Sequence, residues 1–178
     1  MGRRGPVLLI EPAPFLCAQL KKKFDGVDSV AVMNCCVTPS DGVVDFYAPK
    51  VGANKDVPWV DLIGSVKERH ALDHNPQLGP YIEKIKVSSL SFDSLLRAAE
   101  ISSINLLFTD TEGLDAEILL TFPFSRLKPR QILFDHMHAG GTHHIGKKFA
   151  ALILTLDDAG YNIRVKDFEN CMATLRPR

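Results

Sequence analysis

Apolar residues fall into short runs along this chain, and the spacing changes from one run to the next. Val7-Leu8-Leu9-Ile10 is continuous and stops at Glu11-Pro12, the pattern of a buried strand ended by proline. Phe15, Leu16, Leu20 and Phe24 then recur at helical spacing, with Lys21-Lys22-Lys23 crowding the last turn, where cations complement the helix dipole. Residues 28–37 are rich in valine and read as a second strand. Ser40-Asp41-Gly42 is a turn signal, and residues 43–47 are expected to form a hairpin with that strand.

Between residues 48 and 80 the periodicity fades, broken by Pro49, Gly52, Pro58, Gly64, Pro76, Gly79 and Pro80. A segment of this kind reads as a functional or mobile loop. Trp59 within it either lines a substrate cleft or plugs the core beneath. Residues 85–90 resume as a strand, and Ser91 caps a helix through Leu95, Leu96 and Ala99. A strand at 104–108 runs into Thr109-Asp110-Thr111-Glu112-Gly113, followed by a short helix at 116–120. The strand at 131–134 ends at Asp135-His136. Phe149, Leu152, Ile153 and Leu156 share one helical face, with Gly160 just beyond the end. Residues 161–165 and 171–175 close the chain as a hairpin.

Strands alternating with helices predict an α/β fold, with a mostly parallel sheet covered on both faces and a C-terminal antiparallel hairpin at one edge. The length of 178 residues suits one domain over 1–178. Hydrophobic residues make up 46% and charged residues 24%, which excludes a disordered or collagen-like chain. Twenty-one basic residues balance twenty-one acidic ones, so no net field favours nucleic acid or an anionic membrane. Cys35 and Cys36 are adjacent and no CxxC spacing occurs, which argues against a disulfide framework or a structural zinc site. No signal peptide or membrane span is evident, so a soluble, cytoplasmic chain is expected.

In an open α/β sheet, ligands sit outside the carboxyl ends of the strands. Glu11, Asp110 with Glu112, and Asp135 all fall there. Glu11 either takes two ribose hydroxyls or caps the following helix. Asp110 and Glu112, read as extended backbone, point to one side and reach one bound group. Crowding raises a carboxylate's pKa and suits it to act as a base. An acidic turn capping the next helix at Asp115 would look similar. Four of the six histidines fall at 136, 138, 143 and 144. They make either a zinc-type cluster or a polar loop with one useful histidine, His136, as acid or base. The Gly64-Ser65 step suits a close backbone approach to a ligand. Asn34 contacts a base or satisfies a neighbour.

Taken in order, these motifs resemble the FkbM-type S-adenosylmethionine-dependent methyltransferases. Ile10-Glu11-Pro12-Ala13-Pro14 resembles the family's EPxP segment. Residues 32–37, followed by Asp41-Gly42 and Phe46-Tyr47, resemble the next strand and hairpin. Gly64-Ser65-Val66 stands where a GSS-like step is common, and residues 87–96 resemble its strand-to-helix passage. Thr109-Asp110-Thr111-Glu112-Gly113 and the helix after it resemble the D-x-E-G motif, and Gly160-Tyr161 opens a similar closing hairpin.

The resemblance spans about residues 7–174. It implies a Rossmann-like class I methyltransferase fold that uses S-adenosylmethionine to methylate a hydroxyl on a small molecule or glycan. Asp110 is then the base, with Glu112 supporting it and His136 as an alternative. Glu11, Asn34, Gly64, Ser65 and Asp110 then hold the cofactor. The family's first strand and Gly-rich cofactor turn have no counterpart here, so the domain reads as N-terminally incomplete, with its first βα unit missing. Loss of a central strand would leave two sheet edges open, which favours a homodimer. The alternatives are a non-catalytic methyltransferase-like interaction module and a metal-dependent hydrolase using the 136–144 histidines.

Overall fold

The computed structural model of the chain describes residues 5–139 and 142–177. Strand β1 is Val7–Ile10, and helix α1 is Pro14–Lys23. Pro14 opens that helix, where a missing N–H costs nothing. Strands β2 (Val30–Met33), β3 (Cys36–Val37) and β4 (Gly42–Pro49) follow, then helix α2 (His70–His74) and strand β5 (Ile82–Leu90). The second half holds α3 (Phe92–Ala98), β6 (Leu106–Thr109), α4 (Asp115–Leu120), β7 (Gln131–Asp135), α5 (Gly146–Asp158), β8 (Tyr161–Val165) and β9 (Asn170–Leu175). Among the described residues, no helix is long and apolar enough to cross a membrane.

Among the described residues, the expected single sheet is instead three. β1 pairs with β2 in parallel, β5 lies between β3 and β4, and the last sheet has the order β6-β7-β9-β8. β6 and β7 are parallel, whereas β9 runs antiparallel to both β7 and β8. The closing hairpin is therefore as expected. Among the described residues, β1 pairs only with β2 and β6 only with β7, so each keeps one unpaired edge.

The hairpin expected between 28–37 and 43–47 does not form. β4 pairs antiparallel with β5 from Gly42↔Ser89 to Pro49↔Ile82, and β3 meets β5 from the other side. Two long strands of matched length offer a far longer ladder than the two-residue β3, and the longer ladder satisfies more backbone groups.

The main core lies between the last sheet and the helices α4 and α5. Ile118, Leu119, Ile132, Phe134, Leu152, Leu156, Tyr161 and Ala173 are fully buried there. Leu152 and Leu156, one turn apart, present the predicted face of α5, while Leu154 on the opposite side is exposed. Leu8, Ile10 and Met33 from the first sheet pack against the same core. The buried Tyr161 hydroxyl donates to Pro129 O at 2.8 Å.

The broken segment after β4 is not a bare loop. Ala53, Val60, Ile63, Ala71 and Leu78 form a small core of their own. That core fixes α2, which matters for the site below. Trp59 stays 43% exposed outside it.

Replacing Leu156, which has no exposed surface, by alanine is expected to cost about 2–5 kcal/mol. Urea unfolding followed by circular dichroism would show this as a lowered midpoint at an unchanged slope.

Candidate active site

The turn between β6 and α4 is set by one buried carboxylate. Asp115 opens α4 and is only 1% exposed. Its Oδ2 accepts from both Thr111 N, at 3.0 Å, and Thr111 Oγ1, at 2.6 Å. Folding the chain back in this way takes Glu112 (φ 52°) and Gly113 (φ 102°) into the left-handed region. That region costs a side-chain-bearing residue about 1–2 kcal/mol. Glu112 is held there from two sides. Ser65 Oγ donates to Glu112 O at 2.7 Å, and Glu112 Oε2 lies 2.5 Å from His70 Nε2.

The extended geometry expected for Asp110-Thr111-Glu112 is thus corrected: the backbone reverses at Glu112, whose carboxylate is engaged by His70. Asp110 remains exposed just past the end of β6. Protein packed around its carboxyl, and next the charge of Glu112, push its pKa up to about 6. Asp115 plays the structural part that the sequence left open for an acid in this turn.

Asp135 ends β7 and is 3% exposed. Its Oδ1 accepts from Met137 N at 2.7 Å, while Oδ2 is buried with no hydrogen-bond partner among the described residues. Burial, followed by the charge of Asp115, pushes this carboxyl up to about 7. Asp110 and Glu112 add to the shift, so Asp110, Glu112, Asp115 and Asp135 form one acidic cluster at the tips of β6 and β7.

His136 follows immediately, with its backbone N donating to Glu169 O at 2.8 Å. Its ring centroid lies 5.8 Å from that of Phe149, and its buried Nδ1 has no partner among the described residues.

The other predicted residues sit further along the strand ends. Glu11 Oε1 accepts from Ala13 N at 2.8 Å, which caps the entry to α1. Burial raises its pKa against the opposing effect of that hydrogen bond. Asn34 Nδ2 donates to Glu11 O and Pro12 O, both at 2.8 Å. It therefore ties the segment after β2 to the one after β1. Gly64 is packed under an aromatic ring: an added Cβ would lie 2.8 Å from Phe46 Cζ. Ser65 N and O pair with the Tyr47 backbone, and Ser65 Oγ supports Glu112. These contacts give Asn34, Gly64 and Ser65 structural work whatever else they bind.

The histidines group differently from their order in sequence. His138 and His143 meet His70 and His74, which come from α2 across the fold. Ring centroids are 4.6 Å apart for His70–His74, 5.0 Å for His74–His138 and 4.7 Å for His74–His143. Burial holds His138 down at about 4 and lowers His74 as well, so both rings are neutral at physiological pH. His136 is outside this group, and His144 is exposed.

The sequence reading missed His70 and His74, although their spacing of one helical turn was visible. A cleft of about 470 Å³ opens beside His70, lined also by Lys67, Glu117, Thr142 and Lys148. Both lysines pair with Glu117 Oε1, at 2.7 and 2.5 Å. A second hollow, of about 290 Å³, is lined by Lys21, Phe24 and Val30 and touches none of the acidic residues. All four cysteines are free and buried, and burial pushes the Cys36 thiol up to about 12.

The family model described as the methyltransferase FkbM domain matches residues 1–163. No curated protein and no solved structure matches the chain.

The raised Asp135 pKa fixes the sign of a stability effect. The folded chain holds a proton there that the unfolded chain releases above its ordinary value of 3.8. Stability from this group is therefore present below that value and is lost as pH rises towards about 7. Asp135→Asn keeps an oxygen for Met137 N and removes the charge. Urea unfolding is expected to show a gain of about 1–3 kcal/mol at pH 8 that closes near pH 4.

Proposed function

Because the chain belongs to the FkbM methyltransferase family, we propose that it transfers a methyl group from S-adenosylmethionine to a hydroxyl oxygen of a small molecule or glycan. The observation that carries this reading is Asp110: an exposed carboxylate at the carboxyl end of a parallel strand, with its pKa at about 6. A base in that range is ionised at neutral pH, yet holds a proton better than an ordinary aspartate.

S-adenosylmethionine supplies an activated methyl group on a sulfonium. Glu11, half-buried at the tip of β1, fits the ribose hydroxyls. Its Oε1 is committed to Ala13 N, and Oε2 accepts no hydrogen bond among the described residues. Asn34 holds the backbone around Glu11, and Ser65 holds Glu112, so both act on cofactor binding by positioning. Gly64 keeps the 64–66 step close against β4.

Asp110 would take the acceptor's hydroxyl proton as the acceptor oxygen takes the methyl group that bound S-adenosylmethionine would supply from its sulfonium. Being exposed, Asp110 returns that proton to solvent. The remaining contribution of the chain is alignment, since near-attack placement alone lowers the barrier substantially. Glu112 supports Asp110 by raising its pKa. His136 is the alternative base, and its buried Nδ1 lacks a partner among the described residues.

With radiolabelled S-adenosylmethionine and a panel of hydroxyl acceptors, Asp110→Asn is expected to lower the transfer rate about 10²–10⁴-fold. The wild-type rate should rise with pH through about 6 and then level. Unchanged transfer by Asp110→Asn would remove Asp110 from the mechanism.

A further inference from the structure

We propose that His70, His74 and His138 hold a divalent transition-metal ion of the zinc class. The proposal stands on the side-chain geometry alone and does not depend on methyl transfer. One ligand atom from each of the three rings lies within 4.8 Å of those from the other two. His70 Nε2 and His74 Nε2 are 3.2 Å apart. A tetrahedral zinc site with bonds of about 2.0–2.1 Å to imidazole has ligand nitrogens about 3.3–3.4 Å apart, so this pair already spans one edge. Imidazole nitrogens suit zinc and its late first-row neighbours rather than magnesium or calcium.

The surroundings match what a ligating histidine needs. His70 is 2% exposed, and its Nδ1 lies 3.0 Å from Thr142 Oγ1. A hydrogen bond at the far ring nitrogen fixes the tautomer and aims the ligating one. Glu112 Oε2 stands 2.5 Å from His70 Nε2 and 3.9 Å from His74 Nε2. It brings a negative charge to the same space, which offsets that of the cation. His70 and His74 come from a helix with its own small core and His138 from the turn after β7, so the site joins two distant parts of the chain.

Three ligands leave a fourth position for water or another oxygen, as in open zinc centres. Several contacts have to change. An ion on His70 Nε2 takes the place of that nitrogen's hydrogen bonds to Glu112 Oε2 and His74 Nε2. His143 N donates to His138 Nδ1 at 3.0 Å. Binding through Nε2 transfers the ring proton to Nδ1, and binding through Nδ1 replaces the amide, so either route moves His143.

The test is zinc binding by the full chain, measured by calorimetry with a competing chelator, together with the visible absorption of the Co²⁺-loaded chain. The expected result is one saturable equivalent of Zn²⁺ and the intense visible bands of four-coordinate Co²⁺. His74→Gln and His138→Gln should each weaken binding by at least about 10-fold, the loss that even an outer partner brings. His144→Gln, exposed and outside the group, should bind like wild type. No saturable Zn²⁺ uptake by a wild-type sample shown to be folded would overturn the proposal. So would unaltered affinity in both His74→Gln and His138→Gln. The Co²⁺ spectrum needs no variant, so it decides the matter even if a substitution unfolds the chain.

Discussion

The buried Asp115 carboxylate, with both a backbone and a side-chain hydrogen bond from Thr111 on one oxygen, is the constraint on which the site depends. It folds the chain back within a few residues of the end of β6. It also makes the left-handed Glu112 tolerable, because the backbone on either side is fixed. From this turn come the exposed Asp110, the Glu112 that reaches His70, and the acidic crowding that raises Asp135. An isolated buried carboxylate is costly. Here two charge-assisted hydrogen bonds offset part of that cost, and burial still raises its pKa.

The second constraint comes from the opposite half of the fold. The segment after β4 carries a small core of its own, and this core brings Ser65, Lys67, His70 and His74 to the same turn. Ser65 Oγ accepts from Lys67 N while donating to Glu112 O, so one hydroxyl couples the two segments. Lys67 then reaches Glu117 on α4. The site is thus a junction between the β6–α4 turn and the α2 segment, and neither part forms it alone.

Much of this was legible in the sequence where local signals carry it. Continuous apolar runs marked β1, β6 and β7, and the acidic residues at their tips were read correctly as strand ends. Ser91 does cap α3, its Oγ accepting from Ser94 N. The 149/152/153/156 stripe is the buried face of α5. What failed was long-range. The partner of β4 is β5, some forty positions on, and alternation within a strand says nothing about which strand lies beside it. The unpaired edges of β1 and β6 split the expected sheet. The 136–144 histidines looked like a unit because they are near in sequence. In space His138 and His143 belong with His70 and His74, whereas His136 packs beside Phe149. The reversal at Glu112 was hidden because a following glycine permits a left-handed turn without requiring one.

Whether the acidic residues at the tips of β1, β6 and β7 serve methyl transfer is tested most directly by calorimetric titration of the folded chain with S-adenosylhomocysteine, the demethylated form of the proposed donor. Saturable binding to one site, weakened by Glu11→Gln, is the expected result. An absence of saturable heat from a sample shown to be folded would contradict it.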